Sequence, residues 1–215
     1  MTPLEIEAFC RKRYNAENDD FWSSAEIMDL IYAAAMELSN ETGCIENIVT
    51  ATATASQREY PKPGNATSIV RVEYNGDKLQ KISWREDDSM TASNTDTTST
   101  GTPRFYTEFE DSIYLRPTPD SSTATLKIYS LNYPQAVTSS SVLDIPVRYH
   151  LLLCYYILSE MYEKSKDPTG SDRFWARWQQ GIQGAKRLEK RRKRGDSFAH
   201  VLNEDALPGS LMGYN

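Results

Sequence analysis

The sequence predicts an α+β protein: a helical bundle built from both chain ends, with an inserted antiparallel β-sandwich or open barrel. Three observations predict it. Residues 1–45 carry two helix-start signatures, each ahead of helix-forming sequence. Residues 46–140 lose the helical period and fill with Thr, Val, Tyr and Ile between turn residues. Residues 141–195 return to helical spacing, and 196–215 follow as an extended C-terminal tail.

The first helix opens at "TPLE": Thr2 caps, Pro3 suits the first helical position, and Glu5 completes a capping box. It runs to about Tyr14, where "NAENDD" breaks the pattern. "FWSSAEIMDL" restarts it, with Ser23 as cap, Glu26 closing a second box and Trp22 stapling onto Ile27. Ile27, Leu30, Ile31, Ala34 and Leu38 then share one helix face, and Gly43 ends the helix.

Six strands are expected, at 48–54, 68–74, 78–84, 104–109, 112–116 and 124–131. "NGD" after Tyr74 is a strong hairpin turn signal, because Asn and Gly accept positive φ. "ED" after Phe109 is a weaker one. Phe105, Thr107 and Phe109 point to one face of that hairpin, Tyr106 and Glu108 to the other, and "RPTPD" stops it. The polar run "TASNTDTTSTGT", 91–102, reads as an exposed loop.

"VLDIPVRYH" begins the next helix, with Asp144 as cap and Pro146 in the first turn. Over 146–165 one face carries Val147, Leu151, Cys154, Tyr155, Leu158 and Met161; Leu152, Leu153, Tyr156 and Ile157 occupy other sides. A helix apolar on most sides is buried on most sides, by its own domain or a neighbouring subunit. Asp167, Pro168 and Gly170 stop it. A last helix spans about 171–194 on a face of Phe174, Trp178, Ile182, Ala185 and Leu188, with Gly195 as its C′ residue.

Net charge is −6, which gives no general attraction to nucleic acid. The charge is uneven. "KRLEKRRKR", 186–194, holds seven basic residues and one acid, leaving 17 basic and 29 acidic residues elsewhere. Lys186, Arg187, Lys190, Arg191, Arg192, Lys193 and Arg194 wrap round the helix end as a cationic tip. Cations there complement the helix dipole, by at most about 1 kcal/mol each. Such a tip fits a DNA phosphate, an acidic protein partner or plain solvation. The three cysteines, Cys10, Cys44 and Cys154, have no metal spacing and read as buried free thiols of a reducing compartment. The N-terminus lacks an apolar core like that of a signal peptide, and "YHLLLCYYIL" is too short to span a bilayer. No membrane partner is expected.

No pattern points to catalysis, to a cofactor or to a metal. His150 lies in an apolar helix and His200 in the tail, neither with a positioned partner. The acids Asp19-Asp20, Glu86-Asp87-Asp88 and Glu108 with Glu110-Asp111 read as solvated turn residues. Phosphate-loop, dinucleotide, zinc-protease and serine-elbow motifs are all missing from the sequence. The thirteen Tyr, six Phe and four Trp read as core and interface residues.

The order of the pieces resembles a family. An amphipathic "WSSAEIMDLIYAAAMELSNETG" leads to "QREYPKPGNATSIVRVEYNGDKLQKISWRE". There follow "GTPRFYTEFEDSIYLRPTPDSSTATLKIYSLNYP" and "IPVRYHLLLCYYILSEMYEKSKD", the latter leading into "RFWARW". Together they resemble the head-to-tail adaptor (connector) proteins of tailed bacteriophages, in particular the tail tubular protein A type, over roughly residues 20–190. The resemblance implies a structural virion protein of the neck or tail, made in the host cytoplasm. It implies twelve copies in a ring around the DNA channel, with the bundle on the portal protein and the β domain toward a tail or nozzle protein. DNA would pass non-specifically at most. Trp175, Trp178 and the cationic tip 186–194 are the expected contact elements near the portal.

Two other readings compete. A carbohydrate-binding β module would present exposed aromatics, Trp84 or Tyr106 among them, on one sheet face. A DNA-contacting protein would use the basic helix end and show salt-dependent affinity.

Overall fold

The structure is a computed structural model and describes residues 1–16, 21–93 and 99–194. In chain order the elements are α1 (Pro3–Tyr14), α2 (Ser24–Thr42), β1 (Glu46–Thr52), β2 (Glu59–Pro61), β3 (Ala66–Tyr74), β4 (Asp77–Lys78) and β5 (Gln80–Lys81). Then come α3 (Trp84–Ser93), β6 (Thr100–Gly101), β7 (Phe105–Phe109), β8 (Ser112–Arg116), β9 (Thr118–Pro119) and β10 (Thr125–Asn132). The described residues end with α4 (His150–Lys164) and α5 (Pro168–Arg194). The protein is thus mixed helix and sheet. Its described residues fall into two compact units, one from Met1–Cys44 with Ala136–Asn215, the other Ile45–Gln135.

In the helical unit, both expected capping boxes form: Thr2 with Glu5, and Ser23 with Glu26. Gly43 ends α2 at φ 59°, its N–H donating to the Ser39 carbonyl at 2.7 Å. Leu38, Ile27 and Ile31 of α2 are buried with Ile6 of α1, Leu153 of α4, and Phe174 and Trp178 of α5. Contacts link α4 to α1, α2 and α5. Two glycines allow close approach. A Cβ on Gly181 would stand 2.2 Å from Leu152 Cδ1, and one on Gly170 would stand 2.4 Å from the Tyr162 ring.

Three expectations in this unit need correction. Pro146 does not open the long helix: it precedes a single 3-10 turn, Val147–Tyr149, and no side chain caps that turn. Asp167, Pro168 and Gly170 start a helix instead of only ending one. Proline costs nothing at a first-turn position, and Asp167 Oδ1 accepts the Gly170 N–H at 3.0 Å. Val147, Leu151 and Leu188 are exposed, because the buried face of α4 runs through Leu153, Cys154, Ile157, Leu158 and Met161 and that of α5 through Phe174, Trp178, Ile182, Ala185 and Glu189. Gly195, His200, the tail 196–215 and Asp19-Asp20 lie outside the described residues.

In the β unit, the first four-stranded sheet has the order β1-β10-β3-β4 and is antiparallel throughout. The second has the order β2-β8-β7-β5, and β5 joins β7 in parallel. β6 and β9 form a third, two-stranded parallel pair. No closed barrel forms among the described residues, and the sheets are not purely antiparallel. One core serves this unit, with Val72, Leu79, Tyr106, Ile113, Leu115, Leu126 and Ile128 at its centre. The turn after Tyr74 has Asn75 at φ 52° and Gly76 at φ 93°, as the hairpin signal requires. Glu110 also takes positive φ, 49°, so the weaker turn signal is a turn as well.

The strand expected over 78–84 is replaced by two short strands and α3. Ser83 Oγ accepts the Glu86 N–H at 3.2 Å, while Glu86 accepts the Ser83 N–H at 2.7 Å. That is a capping box, and it turns 84–93 into a helix. α3 covers the outward side of β7 and β8. Trp84 stands 4.8 Å from the Phe109 ring and 5.3 Å from Tyr114. Asp87, buried, is held by Arg58 and by Arg116 at 2.7 Å. The 105–116 hairpin is therefore packed on both faces near its middle, with Tyr106 in the core and Thr107 buried on the opposite side, while Phe109 at the turn stays 45% exposed. Residues 94–98 of the expected loop lie outside the described residues.

Candidate functional site

The last helix carries the candidate contact residues, and its two ends differ. α5 has 27 residues, about 40 Å of helix. Phe174, Trp178, Ile182, Ala185 and Glu189 are buried along one stripe. Trp178 is therefore a packing residue of this unit. It is wholly buried within the chain, and its indole N–H points to Glu37 Oε1 at 3.4 Å, which leaves Trp175 as the tryptophan at the surface for the expected contact near the portal. Trp175, three residues earlier, is turned outward and exposed. It lines a cavity of about 420 Å³ with Glu160, Glu163, Lys166 and Asp172. Burial, with Glu163 and Glu37 nearby, pushes the Glu160 carboxyl above its ordinary value.

The basic end divides into tied and untied cations. Lys186 pairs with Glu41. Arg187 donates to the Gln183 carbonyl at 3.2 Å, Arg192 to Glu189 Oε2 at 2.8 Å, and Lys193 to the Gly43 carbonyl at 2.9 Å. Lys190, Arg191 and Arg194 are exposed and have no ion pair among the described residues. The lone acid of the run anchors it. Glu189 is buried and also accepts from Arg148 at 2.5 Å and from the Tyr149 hydroxyl at 2.6 Å. Burial alone would raise its pKa. The bonds from Tyr149, Arg148 and Arg192 outweigh burial and hold it below the ordinary carboxylate value. Sequence reasoning missed this node, though a single acid among seven bases was its signal.

Several of the residues considered for chemistry have structural partners. His150 is buried; its Nε2–H donates to the Ile145 carbonyl at 2.9 Å, and Nδ1 accepts from the Met1 ammonium at 2.8 Å. Glu108 pairs with Lys81 and, at 3.5 Å, with Lys62. No group of three or more potential metal ligands occurs among the described residues. Cys10, Cys44 and Cys154 are buried free thiols. Hydrogen bonding to Cys154 and burial push the Cys10 thiol far up, and burial raises Cys44, which disfavours the thiolate at both. Tyr106 is a core residue, whereas Trp84, packed on Phe109 and Tyr114, stays 36% exposed, so of the two aromatics named for a carbohydrate platform only Trp84 is at the surface.

The described residues thus give a helical unit, a β unit and a charged helix end. The model of the SU10 adaptor protein family matches residues 1–201. The chain belongs to the SU10 adaptor protein family. No curated protein matches it. As a member it is a phage structural adaptor and a component of the virion, in a family of structural proteins and not of enzymes. Membership carries association with other virion proteins. Among the described residues of this adaptor, no helix is long and apolar enough to cross a membrane.

Proposed function

We propose that this adaptor is of the tail tubular protein A type. It closes into a ring of twelve copies and joins the portal to the tail around the DNA channel. In this reading the helices from both chain ends form one bundle that seats on the portal, and the β unit faces the tail or nozzle protein. Family membership carries the proposal. Apolar residues left uncovered on the helical unit support it: Val142 is 90% exposed, Val147 75% and Trp175 40%. In this reading another subunit covers them. Three untied cations, Lys190, Arg191 and Arg194, supply charge for an acidic neighbour. DNA contact is non-specific at most, since 17 basic residues face 29 acidic ones outside the basic run.

The test is co-sedimentation of the purified adaptor with its portal ring, followed by mass determination of the complex. One adaptor per portal subunit is the expected result. A portal that sediments bare, with the adaptor left as a free monomer, overturns the proposal.

A further inference from the structure

Four strands bound the two larger sheets: β1 and β4 in one, β2 and β5 in the other. Three of these edges are blunted. β4 and β5 have two residues each and carry Lys78 and Lys81, and β2 has three and ends in Pro61. β1 is different. It has seven residues, ENIVTAT, with no lysine, arginine or proline, and every second residue along it is exposed. Such an edge is a template for another strand. β3 extends past β4, but two register shifts against β10 distort that stretch.

The ladder phase says which groups of β1 are available. The Ala53 N–H donates to the Ala124 carbonyl at 2.8 Å and the Asn132 N–H to the Ile45 carbonyl at 3.0 Å, both in the β1–β10 register. Odd-numbered residues therefore bond β10, and Ile48, Thr50 and Thr52 turn their backbone groups outward. Asn47 Oδ1 accepts the Ile48 N–H at 2.9 Å. The N–H and C=O of Thr50 and Thr52 have no partner among the described residues. The side chains agree. Val49 and Ala51 face Ile128 and Leu126, which are buried, yet are themselves only half-buried because no strand flanks them. On the other face Ile48 is 57% exposed beside Tyr129.

We propose that β1 is a strand-addition site, filled by an extended segment of a different virion protein. That segment carries apolar residues at alternate positions, which complete the core beside Val49 and Ala51. The choice of occupant rests on the ring reading. In a cyclic ring, β1 cannot meet a neighbour's β1, because that pairing needs a two-fold axis. Among the described residues, the neighbour's other edges are short or bulged and offer no matching strand.

Amide hydrogen exchange tests it on three samples: the free adaptor, rings of the adaptor alone, and necks isolated from virions. The Thr50 and Thr52 amides exchange freely in the first two and slow by at least about 100-fold in the neck, while Val49 and Ala51 are slow throughout. Free exchange of Thr50 and Thr52 in the neck overturns the proposal. Protection already present in rings of the adaptor alone overturns the occupant, assigning the edge to a second copy. A failure to form rings sinks the ring reading by itself, and the neck amides still decide the edge. Thr50→Pro is the matching variant, since it deletes an outward N–H and leaves the β1–β10 ladder whole. Its incorporation into necks falls at least tenfold, with unfolding of the free chain unchanged and Thr50→Ala incorporated normally. Normal incorporation of Thr50→Pro also overturns the proposal.

Discussion

Glu189 sits in a run of bases, but its role is internal. It collects bonds from Arg148, Tyr149 and Arg192 at a buried position. Removing it leaves the buried Tyr149 hydroxyl without its acceptor and two half-exposed arginines without their carboxylate, so Glu189→Ala destabilises the helical unit by about 1–3 kcal/mol, measured by urea unfolding. Its folded pKa lies below the ordinary 4.5. Its stabilising contribution is therefore full above the ordinary carboxylate range and is lost as pH falls through the lowered value. Acid unfolding of Glu189→Gln consequently loses part of the wild-type pH dependence below that range. Two glycines of α5 give opposite signs. Gly184 has open space where a Cβ would go, so Gly184→Ala stabilises by about 0.5–1 kcal/mol through helix propensity. Gly181→Ala drives a methyl into Leu152 and destabilises by about 1–3 kcal/mol. Thermal unfolding of the pair checks both signs.

At the scale of elements, the helix starts were legible where a capping residue and an acid three positions on announced them. Thr2 with Glu5 and Ser23 with Glu26 did so, and both boxes form. Ser83 with Glu86 carries the same signal, and α3 was missed because "KISW" before it has the residues of a strand. Short apolar runs do not distinguish strand from helix, and here the cap decided. α3 is held to its sheet by two anchors, the Trp84 ring stack and the buried Asp87. Asp87→Ala leaves Arg58 and Arg116 without their carboxylate and costs about 3 kcal/mol in the β unit. α3 then lifts, and the tryptophan fluorescence changes as Trp84, already 36% exposed, leaves the Phe109 and Tyr114 rings. An unchanged spectrum with unchanged stability would remove Asp87 as an anchor.

At the scale of the whole molecule, the cationic helix end divides by function. Arg192, Lys193 and Lys186 are engaged within the helical unit, so reversing their charge tests folding and docking together. Lys190, Arg191 and Arg194 are untied. Their combined reversal to Glu leaves unfolding unchanged and lowers portal affinity by at least about tenfold at low salt, with a smaller effect at high salt. Sedimentation of the triple variant with portal rings across a salt series reads both. Equal binding by variant and wild type at low salt would take the basic end out of the interface.

The sequence by itself determined what depends on neighbours along the chain. Caps, the Asn75-Gly76 turn, the change from helical to strand composition at residue 46 and the paucity of motifs for chemistry are all local properties. The order of its segments carried the resemblance to phage adaptors. Tertiary structure alone decided which side of an apolar helix is covered. Val147, Leu151 and Leu188 share helical spacing with buried residues, yet they face outward while Trp178 does not. It also decided which cations are spoken for and which sheet edge is left open. These depend on partners far away in sequence, such as Glu41 for Lys186 and β10 for β1. Periodicity fixes which residues share a face, but only packing against distant elements chooses the face that water keeps.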